Sequence, residues 1–420
     1  MSSKKIIAKN AFFLYVLTFS NYFLGLILYP FLSRVLSVEK FGLVGFSMSF
    51  VLIFEMIIEY GFSISITEKV SRNRNNQNKI NALISSTIWA KLILIIVSII
   101  CFYGSSIFIP MIKNNLLIIG LFFIDSIIKA LLPDFYFRGI EDMRTITIRA
   151  VTAKLLCFVL VIMFVHGDSE IFLVPISFII GDFIATMITI ITMLRKGVRI
   201  LTPNISNIYL VLSEGFLFFV SRLSVSINNS AGSFFLGIKF SPSSIQLGIL
   251  AGITKITSAG ENMLSPLNDS IYPHMVKEKD YHLLKKIFIY GGLIWIVGCT
   301  IIFIGADSIC SILLGAKYSE AGKYLRIILV NTLFAFFSMF LGYPSLSPIN
   351  KSLYANIALP IATIINIILC IILWLTHNIS LVNILLVMSI MNIIMVIIRG
   401  GALIKFRRLI PSKKEVKNEV

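Results

Sequence analysis

Apolar runs of about 20 residues recur from one end of this 420-residue chain to the other. At about 1.5 Å per residue, each is long enough as a helix to cross a hydrocarbon core of about 30 Å. We place twelve spans near residues 11–32, 41–64, 81–103, 116–133, 150–165, 171–194, 210–238, 245–276, 287–304, 326–342, 355–375 and 381–404. With 57% apolar and 14% charged residues, the chain has too little polar surface for a water-soluble domain of this size. The expected fold class is all-α integral membrane, with twelve transmembrane helices in two six-helix lobes, 1–205 and 206–420, around a central cleft. The N-terminus MSSKKIIAKN is basic and shows no small-residue cleavage site, so the first span reads as retained.

The net charge of +17 is a topology signal, not a nucleic-acid one. Most Lys and Arg fall in segments on the N-terminal side of the membrane. They include Lys4, Lys5 and Lys9; Lys69, Arg72, Arg74 and Lys79; Arg138, Arg144 and Arg149; Arg195, Lys196 and Arg199; and a tail from Lys405 to Lys417. The positive-inside rule then puts both termini in the cytoplasm. The five cysteines lie in or beside apolar spans with no metal-ligand spacing, and read as buried residues.

Charges inside the spans carry the functional signal. Arg222 lies near the centre of Leu210 to Ile238, about 18 Å along a helix that starts at Leu210. A cation at that depth costs about 2.5–3.5 kcal/mol even on the lenient insertion scale. Lys91 and Lys255 also fall near mid-depth, and each is either a cleft cation or one half of a structural pair. Lys129 is nearer the cytoplasmic side, and Lys154 and Arg399 can snorkel to the headgroups. Asp125, Asp182 and Glu261 are deep acids and candidate ion-coupling groups; Glu55, Glu59, Glu214 and Asp269 lie closer to the cytoplasmic ends. Asp125 and Lys129 stand four residues apart, as a local ion pair would. Glu214 and Arg222 are two turns apart on one face, and Glu59 and Glu214 are candidate cytoplasmic gate residues. A polar cleft with midplane cations suits an anionic substrate, and the planar fork of arginine suits phosphate. Arg222, Lys255, Lys91 and Lys129 are the candidate substrate-binding residues. A head group carried through such a cleft leaves its lipid tail in the bilayer.

Pro30, Pro133, Pro175, Pro266, Pro273, Pro344 and Pro360 interrupt spans, either to shape a cavity or simply where neighbouring helices re-satisfy the backbone. Segment 306–324 reads as an external turn or a short surface helix. An internal echo pairs Phe41-Gly42-Leu43-Val44-Gly45 with Leu247-Gly248-Ile249-Leu250-Ala251, each after a short outer turn, the second at 241–244. There is no GxxxxGK[ST], HExxH, GxSxG or Cys/His cluster, and the four histidines sit near span ends. We expect no catalytic residue, no metal and no cofactor.

Several motifs share one resemblance. Glu59-Tyr60-Gly61-Phe62-Ser63 leads into a basic loop with Lys69, Arg72 and Lys79. Pro30-Phe31-Leu32-Ser33-Arg34 precedes Phe41-Gly42-Leu43. Phe135-Tyr136-Phe137-Arg138-Gly139-Ile140-Glu141-Asp142-Met143 forms an aromatic loop, Glu214-Gly215 opens the seventh span, and Pro266 runs to Tyr272-Pro273. In this order, over about residues 10–400, the chain resembles the Wzx-type polysaccharide-repeat-unit flippases of the MATE-like MOP exporter superfamily. Arg138 stands where that family often has Gln. The resemblance implies two lobes working by alternating access. It implies as substrate an oligosaccharide repeat unit on undecaprenyl pyrophosphate, moved to the periplasmic leaflet of a bacterial inner membrane for O-antigen or other surface polysaccharide. It also implies coupling to H⁺ or Na⁺, and a polysaccharide polymerase and chain-length regulator as partners. Two other readings compete: a MATE-like exporter of small organic cations, and an integral-membrane glycosyltransferase or polymerase. The deep cations argue against the first, and the lack of a large external loop against the second.

Overall fold

The computed structural model describes residues 27–202, 204–240 and 245–410, with Phe13, Val16, Leu17, Phe19 and Ser20 before them. Most of the expected span 11–32, the turn at 241–244, Lys4, Lys5, Lys9, Lys413, Lys414 and Lys417 lie outside the described residues, as do the side chains of Pro266, Asp269 and Pro273.

Every regular element among the described residues is helical. In chain order the principal ones are α1 (Val38–Glu59), α2 (Phe62–Arg72), α3 (Gln77–Phe108), α4 (Leu116–Leu131), the short elbow α5 (Asp134–Gly139), α6 (Met143–Phe164), α7 (Leu173–Arg195) and α8 (Ile205–Lys239). Then come α9 (Ile245–Asn262), α10 (Ser265–Glu278), α11 (Tyr281–Ile304), α12 (Gly322–Leu341), a second elbow α13 (Tyr343–Leu346), α14 (Ser352–Leu375) and α15 (Leu381–Lys405). Among the described residues nine helices are long and apolar enough to cross a membrane. A tenth candidate is α8, whose parts Ile205–Phe216 and Phe218–Lys239 are bent by 49°.

Several expected spans differ from that reading: 41–64 breaks at Tyr60 and Gly61 between α1 and α2, and 210–238 lies within the longer, bent α8. The run 245–276 is two helices, because Met263 and Leu264 form a turn and the proline at 266 opens α10. Proline has no N–H to continue the ladder but suits a first helical turn. The span expected at 150–165 starts earlier, at Met143, where Asp142 caps it by accepting from the Thr145 N–H at 3.2 Å. Arg144 and Arg149 are therefore helical. Segment 306–324 holds a short helix, Ala306–Leu314, and a 3₁₀ turn.

The chain divides into two compact units, Met1–Ser226 with Ser241–Ser243, and Ile227–Phe240 with Ser244–Val420. The expected boundary at 205/206 falls at the start of α8, whereas the units part inside it. The first unit centres on rings: Phe102 stacks on Phe123 at 4.4 Å, and Phe54 meets Phe123 edge-on at 5.3 Å. In the second, Phe336 and Phe340 pack at 4.7 Å, and the Trp295 indole donates to the Thr332 carbonyl at 3.0 Å. Outward faces stay apolar, as on α11, where Ile289, Leu293, Ile294, Ile301 and Ile304 are exposed. In a bilayer those faces meet acyl chains.

Each unit repeats one device. A helix breaks, the next short helix packs against an elbow, and the elbow ends on a left-handed residue. In the first unit α1 breaks at Tyr60 and Gly61, α2 packs on α5, and Glu141 has φ 61°. In the second, α9 breaks at Met263, α10 packs on α13, and Asn350 has φ 57°. The echoed stretches at Phe41 and Leu247 both lie buried near a helix start. Outside the membrane, Arg74 pins the first elbow, donating to the Gly139 carbonyl and to Glu141, both at 2.7 Å. That hydrogen bond and charge hold the Glu141 carboxyl below its usual range.

Gly61 has φ 74°, and a Cβ there would lie 2.7 Å from Cβ of Phe218. Gly61→Ala meets both backbone strain and a clash, and is expected to cost about 1–3 kcal/mol. A lowered midpoint of thermal unfolding in detergent, with Gly104→Ala (open space around its Cβ) unchanged, is the check.

Candidate functional site

The first unit holds a ladder of charges inside its spans. The helix period sets the rungs: Glu55 and Glu59 stand one turn apart on α1, Asp125 and Lys129 one turn apart on α4. α1 packs on α4 and α4 on α7, which brings in Asp182. The Lys129 ammonium lies 2.5 Å from an Asp125 oxygen, 3.4 Å from Asp182, and 5.1 Å from the centre of the Phe178 ring. Glu55 is within electrostatic reach of Lys129, Asp182, Glu59 and Arg222. At the other end Arg222 Nε lies 3.9 Å from Glu59, whose second oxygen accepts from the Ser63 N–H at 3.0 Å. Gly61 gives α2 no side-chain cap, so Glu59 supplies the negative charge that a helix N-terminus favours.

The break between α1 and α2 is also where α8 is gripped. Lys69 pairs with Glu214, Tyr60 stacks on Phe219 at 4.5 Å, and Gly215 lies against Tyr60. Both gate candidates, Glu59 and Glu214, thus bind α8 to this break.

Counted as ionised, the ladder sets four carboxylates (Glu55, Glu59, Asp125, Asp182) against two cations (Lys129, Arg222). The four expected substrate-binding cations, Arg222, Lys255, Lys91 and Lys129, lie in different surroundings. Lys129 is bound by two acids. Lys91 is 2% exposed; it donates to the carbonyls of Ala130 and Leu132 and lies over the Phe135 ring, so it satisfies the end of α4 and presents no face to a substrate. Lys255 and Glu261 belong to α9 in the other unit. Lys255 is partly buried there, and Glu261 accepts from the Thr332 hydroxyl at 3.0 Å. Arg222 is the most open cation of the ladder, its side chain 42% exposed.

Arg399 does not snorkel. It donates to the Ser338 carbonyl at 2.8 Å, the Ser338 hydroxyl at 2.9 Å and the Ala355 carbonyl at 3.1 Å, which closes the break after α12. Lys154 is exposed on α6. Sequence reasoning placed Arg149 on the cytoplasmic side; it is 8% exposed in the second turn of α6 and pairs with Asp134 at 2.6 Å. It also passed over a bond between Asn366 and Asn228 at 3.0 Å in the second unit, where lone Asn residues carry no pattern.

The family profile described as "Polysaccharide biosynthesis protein" matches residues 7–279. The chain belongs to that family. Two relatives, each named "Putative O-antigen transporter", are similar over most of their length. The one from Escherichia coli (strain K12) is 26% identical over 334 residues, covering 78% of this chain and 80% of its own. The one from Shigella dysenteriae is 28% identical over 326 residues, 76% and 80%. Among solved structures, an inward-facing multidrug resistance MATE family transporter of the MOP superfamily superposes with a TM-score of 0.71 at 14% identity, covering 93% of this chain and 95% of its own. The lipid II flippase MurJ, in its inward closed conformation, does so at 0.71 and 16%, covering 94% and 87%. This member of the family therefore has the fold of the MOP transporters.

Removing Lys129 would leave two buried acids facing each other. Lys129→Met is expected to destabilise the protein by about 3–5 kcal/mol. The double variant Lys129→Met/Asp125→Asn is expected to recover part of that loss. Thermal unfolding of the purified proteins measures both, and additive losses would count against the pairing.

Proposed function

We propose that the protein is a flippase, not an enzyme: it moves an oligosaccharide repeat unit linked to undecaprenyl pyrophosphate from the cytoplasmic to the periplasmic leaflet of the bacterial inner membrane. The family match and the similarity to the O-antigen transporters support the substrate class. The observation that carries the transport reading is the charge ladder itself: buried carboxylates and cations within apolar spans serve passage, since stability alone is met more simply by apolar packing. In this reading twelve spans form two lobes about a cleft, both termini are cytoplasmic, and Arg222 meets the pyrophosphate. Glu59 neutralises it between cycles. Lys255 supports a second contact from the other lobe. A polymerase and a chain-length regulator take up the product.

Coupling to H⁺ or Na⁺ falls in this reading to Asp125 and Asp182, with Glu261 as a further candidate. Transport in vesicles should respond to collapse of one of the two ion gradients; indifference to both would remove the coupling.

The acid excess of the ladder favours one other reading, export of an organic cation. Lipid extraction from a deletion strain separates the two. Complete repeat units held on the cytoplasmic face are expected, whereas repeat units at the periplasmic face without polymerisation would end the flippase reading. Arg222→Ala should lower surface polysaccharide about tenfold or more at normal protein abundance, with Arg222→Lys between it and the parent, since charge survives but the fork is lost.

A further inference from the structure

A groove of about 200 Å³ runs between α6 and α7, and no ladder residue lines it. On α6 it extends from Thr145 to Leu156, about 16 Å of helix, and on α7 from Thr192 back to Gly181. The two helices touch at its deep end, where a Cβ on Gly181 would lie 2.6 Å from the Ala153 carbonyl oxygen. Its composition is graded. Thr145, Thr192 and Arg149 line the end near the start of α6; Leu156 and Ile184 line the deep end. Ile148, Ile184 and Ile188 are exposed along its rim. Exposed isoleucines within spans face acyl chains, so the groove opens to lipid.

Arg149 makes this more than a crease between helices. It is 8% exposed, it lines the groove, and its Nε has no hydrogen-bond partner among the described residues although one terminal nitrogen is held by Asp134. A buried donor left unmade costs about 1–3 kcal/mol, more for a charged group. The guanidinium thus keeps one donor unmade beside a groove that opens to lipid.

We propose that this groove is a binding site for one glycerophospholipid of the surrounding leaflet, with its phosphodiester accepting from the Arg149 guanidinium and one acyl chain lying along Ile184 and Leu156. The charge balance selects this occupant. Asp134 already neutralises Arg149, so the site offers one donor and no net positive charge. With the second Asp134 oxygen also unpartnered, such a site penalises a singly charged phosphodiester less than the more highly charged pyrophosphate of the proposed substrate. A lipid seated here fixes α6 against α7, and so holds Asp182 in register with Lys129.

The test uses the full-length protein in nanodiscs containing a phosphatidylethanolamine with a photoreactive group on one acyl chain, with adducts mapped by mass spectrometry. Adducts are expected to concentrate on the α6 and α7 peptides that carry Ile148, Ile184 and Ile188. Thr152→Phe, which fills the groove from an exposed position and leaves the Arg149–Asp134 pair intact, should reduce them about tenfold, and Arg149→Gln should do the same. Labelling of α11 should not change in either variant. Adducts spread evenly over all exposed apolar faces, or undiminished by Thr152→Phe, would overturn the proposal. Displacement of the label by equimolar undecaprenyl pyrophosphate would assign the groove to that lipid and overturn the phospholipid reading.

Discussion

A helix that stops inside a bilayer frees carbonyls that lipid cannot satisfy. This chain stops helices several times within its spans, and long polar side chains take up what is released. Lys91 reaches from α3 to the carbonyls that end α4. Arg399 reaches from α15 to Ser338 and Ala355 on either side of the second elbow. Thr67 donates to the Phe135 carbonyl of the first elbow, and the Tyr281 hydroxyl to the Ser345 carbonyl of the second. The elbows exist because these donors are in place. A cation deep in a span is therefore not by itself a sign of a substrate path, since Lys91 and Arg399 serve backbone repair.

What separates the remaining charges is the company they keep. Lys129 and Arg222 face carboxylates, not carbonyls. An ion pair in a low dielectric is costly to assemble and costly to break, and its strength depends on water access. Arg222, which is partly open and held at 3.9 Å, is loosely restrained, whereas Lys129 is closely held. The ladder thus runs from a fixed rung on α4 to a releasable one on α8, and α8 is the helix whose residues belong to both units.

The sequence was informative wherever one residue acts through its own helix. The apolar runs showed an all-helical membrane fold, and four-residue spacing showed the Asp125–Lys129 pair. It was informative too where ordered motifs mark a family: Glu59-Tyr60-Gly61-Phe62-Ser63 sits at a left-handed break, where Gly61 takes a φ of 74°. It was silent on partners from distant helices. Nothing in the local pattern joins Lys91 to Ala130, Arg399 to Ser338, or Arg149 to Asp134, because depth in the membrane is legible from spacing and azimuth against a neighbour is not. The run 245–276 looked continuous because composition alone does not reveal a turn at Met263.

The two repairs differ in when they become available. Lys91 precedes the break it closes, so the end of α4 meets its donor as it is made. Arg399 lies 57 residues beyond Gly342 at the second elbow, and α14 and most of α15 must be synthesised before it arrives. During translation the first unit can complete its backbone bonding as it emerges, while the second waits for α15. α15 is in this sense the closing stitch of the second elbow, and a ribosome that stalls before it leaves α12 with an open end in the membrane.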